Sequence, residues 1–286
     1  MLWVILSVLS GLGDAIEFAL MKKLKGISSS IVVWVQYAFA LPFLAVLLYF
    51  NYPQKINNSV YWIAILNGLL LIVTTYLLFK ATKISDLSVS IPMLSATPLF
   101  LIFTSYLMIN ELPTFYGLMG IFLIVAGAYA IHVKDYKRGF FYPFRELFRN
   151  KGSLYVLAAA LLFSIAANLG KMGILNSSPA FYSFAVYLFV SIVMIPLLAI
   201  DFNKKIKEIS SNLEYLALLG ISSGFMMVVS AYAMLIAIVP YVISLKRSSA
   251  IFAIFFGYFY FNEKDIKGAL IGTFIMLVGG ILITLF

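Results

Sequence analysis

The chain has 286 residues, 63% hydrophobic and only 11% charged, with no cysteine and a formal net charge of +9. A soluble domain carries about 25% charge, so this composition excludes one. The missing cysteines exclude disulfides and Cys-ligated metal or haem sites, and the positive charge lies between apolar runs, where it sets membrane orientation instead of gripping nucleic acid.

Ten apolar runs follow one another, at roughly 2–21, 28–50, 60–80, 86–108, 113–133, 153–173, 179–200, 213–236, 240–261 and 266–286. Each suits a bilayer core of about 30 Å. Backbone in lipid must satisfy its own hydrogen bonds, so all ten are expected to be helical. The fold class is therefore an all-α membrane protein with ten transmembrane helices.

The first run opens Met1-Leu2-Trp3 with no basic segment and no small-residue cleavage site, so a retained helix is expected. On it Ser7, Ser10, Asp14 and Glu17 recur every three or four residues and share a face. Weaker polar stripes are Asn67 and Thr74 in the third helix, and Ser88 and Ser95 in the fourth. Pro92 and Pro98 should break the fourth helix and bend it around a cavity. Glu111 and Glu263 stand where the fifth and tenth helices begin, where a carboxylate suits the helix dipole, and read as structural. Gly120, Gly127, Gly272 and Gly279 read as close-packing faces, and His132 as an interfacial residue.

The joint, Lys134 to Gly152, sets Phe140, Phe141, Phe144, Leu147 and Phe148 beside Arg138, Arg145 and Arg149. It reads equally as an amphipathic segment on the anionic inner leaflet and as a solvated basic connector. In the sixth helix Ser164, Asn168 and Lys171 form a stripe; Lys171, near the helix end, is as readily a snorkelling residue. In the ninth, Ser244, Arg247 and Ser248 line up with Lys246 beside them.

Residues 241–283 lie over 89–131 at a constant offset of 152, matching Phe100/Phe252, Asn110/Asn262, Glu111/Glu263, Gly120/Gly272 and Gly127/Gly279 without a gap. The chain is a duplication, divided into a first repeat 1–133, a basic connector 134–152 and a second repeat 153–286. Five spans is an odd number, so the second repeat enters the membrane inverted. Of the 20 Lys and Arg residues, 16 gather in alternate loops on one side. The positive-inside rule places that side in the cytoplasm and both termini outside, in the cell (plasma or inner) membrane.

These ten spans, each half ending in an (L/F)xxNE…G…G pattern, together with SLKRSSAIFAIFFGYFYFNE in the ninth helix, resemble the drug/metabolite transporter superfamily, specifically its EamA-type members, over essentially the whole chain. The resemblance implies a central cavity, lined mainly by the first, third, fourth, sixth, eighth and ninth helices, and secondary transport by alternating access, with no enzyme activity. Lys246-Arg247 also resembles the basic pair of plastid triose-phosphate translocators, which binds the substrate's anionic group. The fourth helix lacks the further lysine of those proteins, only Lys83 preceding it, which counts against sugar phosphates.

The reading that follows is an exporter of small polar metabolites, with amino-acid-like zwitterions favoured. Counting about 1.5 Å per residue, Asp14 lies about 18 Å from the outer face and Arg247 about 10 Å, a separation suited to an ammonium and a carboxylate. Substrate contacts are expected from Lys246, Arg247, Asp14, Asn168, Ser244, Ser95 and Asn67. Proton coupling is expected at Glu17 with Asp14, because two carboxylates one turn apart in a bilayer cannot both ionise cheaply. No metal or cofactor is expected. The expected partners are a small-molecule substrate and the lipid bilayer, with a homodimer left open and nucleic acid excluded. Alternatives are an exchanger of organic anions or phosphorylated metabolites and, in another class, a lipid or isoprenoid-carrier flippase or a membrane-embedded enzyme. The enzyme lacks an Asp-rich loop, paired His ligands or a nucleophile with its base.

Overall fold

The structure is a computed structural model and describes residues 1–24, 26–84, 94–132, 151–252 and 267–285. Every regular element among them is helical: α1 (Leu2–Lys23), α2 (Ser29–Ala38), α3 (Leu41–Phe50), α4 (Ser59–Ile84), α5 (Thr97–Ile109) and α6 (Phe115–His132) in the first half. The second half holds α7 (Lys151–Leu175), α8 (Pro179–Val193), α9 (Ile195–Ala199), α10 (Phe202–Ser211), α11 (Leu213–Ile236), α12 (Val239–Lys246) and α13 (Lys267–Leu285). Ser88, Pro92, Glu263 and the joint's arginines and phenylalanines lie outside the described residues.

Two of the expected spans are broken. Pro42 has no N–H to give the carbonyl of Ala38, and the helix parts between α2 and α3 at Phe39–Ala40. Pro196 parts α8 from α9 at Met194 for the same reason. Among the described residues, six helices or helix pairs are long and apolar enough to cross a membrane: α1, α2 with α3, residues Ser59–Ala81 of α4, α7, α8 with α9, and α11. The apolar stretches Thr97–Ile109, Phe115–Ala130 and Ile271–Leu285 are shorter. The expected spans 86–108, 240–261 and 266–286 lie partly outside the described residues. One helix was not expected. In α10, Ile206 and Ile209 recur at helical spacing among lysines, so a stretch read as basic loop winds into a short amphipathic helix.

The halves pack by exchange. α4 lies on α7 as α11 lies on α1, α5 on α7 as α12 on α1, and α8 on α4 as α2 on α11. The seam between α6 and α13 gives the same relation at atomic scale. A Cβ on Gly120 would sit 2.6 Å from the carbonyl of Gly279, and one on Gly127 would sit 2.6 Å from that of Gly272. Gly120 thus meets the counterpart of Gly127, and Gly127 the counterpart of Gly120, so equivalent helices run antiparallel through a glycine contact. The expected packing role of these four glycines is what the seam displays.

The Asn-Glu pair has a local cause as well. Asn110 takes a left-handed conformation (φ 53°) that ends α5, and the Glu111 N–H returns to the Ser105 carbonyl at 3.2 Å. At one end of the bundle Trp3 stacks on Tyr241, the Tyr241 hydroxyl accepts from the Thr114 N–H at 2.9 Å, and the Asn57 N–H donates to the Asn176 carbonyl at 2.9 Å. At the other, the Ser28 N–H donates to Glu208 at 2.9 Å, Lys83 to the Ile27 carbonyl at 2.7 Å, and Lys23 covers the ring of Tyr215. The described loops thus fall at two ends, with those near 57, 114, 176 and 241 at one and those near 28, 83 and 208 at the other.

Candidate functional site

Two helix breaks organise the centre. After α12 ends at Lys246 the chain turns through Arg247–Ser248 before helix resumes at Ser249; in the first half it turns through Ser95–Ala96 before α5. The breaks are 152 positions apart, the repeat offset. Arg247 joins them, donating from Nη2 to the Thr97 hydroxyl at 3.1 Å. Interrupted helices within a membrane persist where they are buried in protein or line a cavity.

The first helix reaches this break because Gly11 has no side chain. A Cβ there would lie 2.7 Å from the Lys246 carbonyl. The close approach carries Asp14 to Lys246, 3.1 Å from carboxylate to ammonium. One turn on, Glu17 accepts from Gln36 Nε2 at 3.1 Å. Below them Tyr37 and Tyr187 meet edge to face with ring centres 4.8 Å apart. Tyr37 binds the Leu71 carbonyl and Thr75, and Tyr187 binds the carbonyl and hydroxyl of Ser223. Leu71 and Ser223 are themselves 152 apart, so the tyrosine pair straddles the exchange axis.

These groups enclose a cavity of about 200 Å³. Asp14, Glu17, Lys246 and Arg247 all lie on its wall, two acids from α1 facing two bases at the end of α12. Asn67, Gln36 and Thr97 add neutral polarity, and Phe18, Leu78, Phe163, Met226 and Met234 supply apolar surface. Three wall residues hold a buried atom with no hydrogen-bond partner among the described residues: Gln36 Oε1, Asn67 Oδ1 and Arg247 Nε. Burying such atoms without a partner costs about 1–3 kcal/mol each, so a polar occupant would bind here at an advantage.

Of the residues expected to touch substrate or proton, Asp14, Glu17, Asn67, Lys246 and Arg247 share the cavity. Asn168, Ser244 and Ser95 do not line it. Asn168 is spent on helix contact, accepting from Ser105 at 2.7 Å and donating to Thr104 at 3.1 Å, which ties α7 to α5. Ser244 is buried and returns its hydroxyl to the Pro240 carbonyl at 2.6 Å. Ser95 is buried in the turn before α5. Asp14 takes Lys246 as its ion-pair partner. The second and seventh spans also contribute, through Gln36, Tyr37 and Tyr187. Gln36 escaped the sequence reading because it has no polar stripe around it; as the one amide in SSIVVWVQYA it carried a signal nonetheless.

Two structural expectations change as well. Lys171 does not snorkel: it is buried in an ion pair with Glu111. Glu111 does serve a helix start, but that of α12 and not of the helix it precedes, accepting the Val239 N–H at 2.8 Å. Among the described residues no cluster of three His, Asp or Glu side chains is placed to hold a metal ion.

A duplicated, exchange-packed helical chain with paired helix breaks over a charged cavity has a matching family model. The EamA-like transporter family model covers residues 1–133 and 150–285, one match to each half. The chain belongs to the EamA-like transporter family. It is thus a multi-pass membrane protein of a transporter family of the drug/metabolite type. No curated protein matches this EamA-like sequence. A solved structure described only as "Crystal structure of protein" is similar over 99% of this chain and 97% of its own, with a TM-score of 0.71 and 13% identity. The likeness is one of fold.

Proposed function

We propose that this EamA-like protein is a secondary-active exporter of small zwitterionic metabolites of the amino-acid kind, working by alternating access through the central cavity. The observation that carries the reading is the balance of charge on one wall: Asp14 and Glu17 against Lys246 and Arg247, in a cavity otherwise largely apolar. A carboxylate entering beside Arg247 and an ammonium entering beside Glu17 would each replace lost hydration by a fixed opposite charge. An organic anion alone would leave the acids opposed, and a flippase would favour an apolar groove over four ionisable groups. The architecture that serves this function is ten spans in two inverted five-helix repeats, with both termini outside the cell membrane. The exchange packing and the division of loop contacts between two ends support it.

The test is a binding screen on purified protein, reading the melting temperature with the twenty standard α-amino acids, their decarboxylated amines, their hydroxy-acid analogues and a panel of sugar phosphates. The zwitterions should raise it and the single-charge analogues should do so much less. Arg247→Ala should weaken binding of the best zwitterion on the order of 100-fold, the loss of one partner in a desolvated charge pair. A screen in which only the sugar phosphates or the hydroxy acids stabilise the protein would overturn the reading in favour of anion exchange.

A further inference from the structure

At one end of the cavity stands a polar assembly that binds nothing in the reading above. Glu111 follows the left-handed end of α5, and its carboxylate has two uses. One oxygen pairs with Lys171 of α7; the other accepts the Val239 N–H, the first of α12, at 2.8 Å. Lys171 in turn donates to the carbonyl of Ala237, the residue that closes α11, at 2.9 Å. An acid thus satisfies an orphan N–H at a helix start while a base satisfies an orphan carbonyl at a helix end, each at its favoured pole. Both side chains are nearly enclosed, at 15% and 11% exposure.

The assembly crosses between repeats. Glu111 belongs to the first, whereas Lys171, Ala237 and Val239 belong to the second. It also sits directly beyond the cavity. On α7, Lys171 lies between Gly170 and Ile174, both on the wall; Met234 and Ile243, also on the wall, flank the α11–α12 turn. To open this end, α5 and the α11–α12 turn must part. Four hydrogen-bonding groups would then separate together, and each would be taken up by entering water. Closed, they satisfy one another; half-open, they would be stranded in a dry environment. Such an assembly favours two discrete states over a continuum.

We propose that Glu111 and Lys171 form the latch that closes the cavity at the end where α5 terminates, and that it breaks and remakes in each cycle. The proposal rests on the alternating-access reading, but its test needs no substrate. The chain contains no cysteine, so Met234→Cys gives a single thiol on the cavity wall just inside the latch. In oriented proteoliposomes a membrane-impermeant maleimide applied from the latch side should label this thiol slowly. Adding Lys171→Met or Glu111→Gln should raise that rate roughly tenfold or more, because one partner of an enclosed pair is left unpaired. Unchanged rates in folded Lys171→Met and Glu111→Gln proteins would make the pair a static clamp and end the proposal.

If the single variants do not fold, Glu111→Cys with Lys171→Cys, bridged by a short bifunctional thiol reagent, answers the same question. The bridge should block labelling of a third cysteine at position 234 from the latch side, and cleaving a reducible bridge should restore it. Equal labelling with and without the bridge would overturn the latch. A latch that passes in a protein that binds no zwitterion would leave the latch standing and remove the substrate assignment, so the two failures are distinguishable.

Discussion

Glu17 and Asp14 lie one turn apart on α1 and yet meet different partners. Asp14 is drawn to Lys246 at 3.1 Å, so its charge is answered within the protein. Glu17 is held by a neutral amide, Gln36, and has no ion-pair partner among the described residues. Of the two, Glu17 is therefore the carboxylate on which the coupling prediction is placed, since Asp14 already has its counter-charge. Glu17→Gln mimics the protonated form and keeps the contact to Gln36 through its own carboxamide. It is expected to bind and exchange substrate but to lose its response to an imposed pH gradient, measured as substrate flux in proteoliposomes with and without that gradient. A variant that follows the gradient as the unmodified protein does would show that coupling lies elsewhere. Gln36→Leu should lower substrate affinity about tenfold, since it removes the group that orients Glu17, with the effect read by the same thermal titration.

Among the elements, the broken helices at the cavity and the helices of the seam are joined by different contacts. The breaks at Ser95–Ala96 and Arg247–Ser248 sit at equivalent positions and are joined by an Arg–Thr hydrogen bond between flexible side chains. The α6–α13 seam is made of glycine against backbone and has no such freedom. Gly127→Ala is therefore expected to cost about 1–3 kcal/mol, because a Cβ meets main-chain atoms of α13 that cannot rotate away. Gly26→Ala is the control: nothing lies within 4 Å of a Cβ there, and it should leave stability unchanged. Thermal unfolding of the purified variants in detergent checks both. Equal melting temperatures for the two would mean that the seam relaxes without strain.

At the scale of the molecule, an even total of ten spans predicts that one face of the membrane collects both termini and the ends of α5, α7 and α11. Loop contacts bring Trp3, Thr114 and Tyr241 together at one end, and Asn57 with Asn176, while Lys23, Lys83 and Glu208 meet partners at the other. Reporter fusions at Phe286 should be active only in a form that works outside the cell, and fusions in the connection that carries α10 only in a cytoplasmic form. A cytoplasmic reading at Phe286 would reverse the orientation and with it the direction assigned to export.

Membrane residence, the helical class and the duplication were legible in the residues themselves, because each rests on local composition or on a fixed offset. Apolar run length sets what a bilayer accepts, and the Asn-Glu turn and paired glycines recur 152 positions apart whatever the packing. Asp14, Glu17, Lys246 and Arg247 were legible too, since ionisable groups within apolar spans have few places to go. The tertiary structure alone decided who faces whom. Asn168 and Ser244 look identical in pattern to cavity residues, but a helical stripe states only a side, and here that side faces another helix or the residue's own carbonyl. Gln36 has no stripe and still reaches the wall, because the break before Pro42 and the packing of α2 on α11 turn it there. The partnership of Glu111 with Lys171 joins residues 60 positions apart across the repeat boundary, and no local periodicity encodes a contact that only closure of the two halves creates.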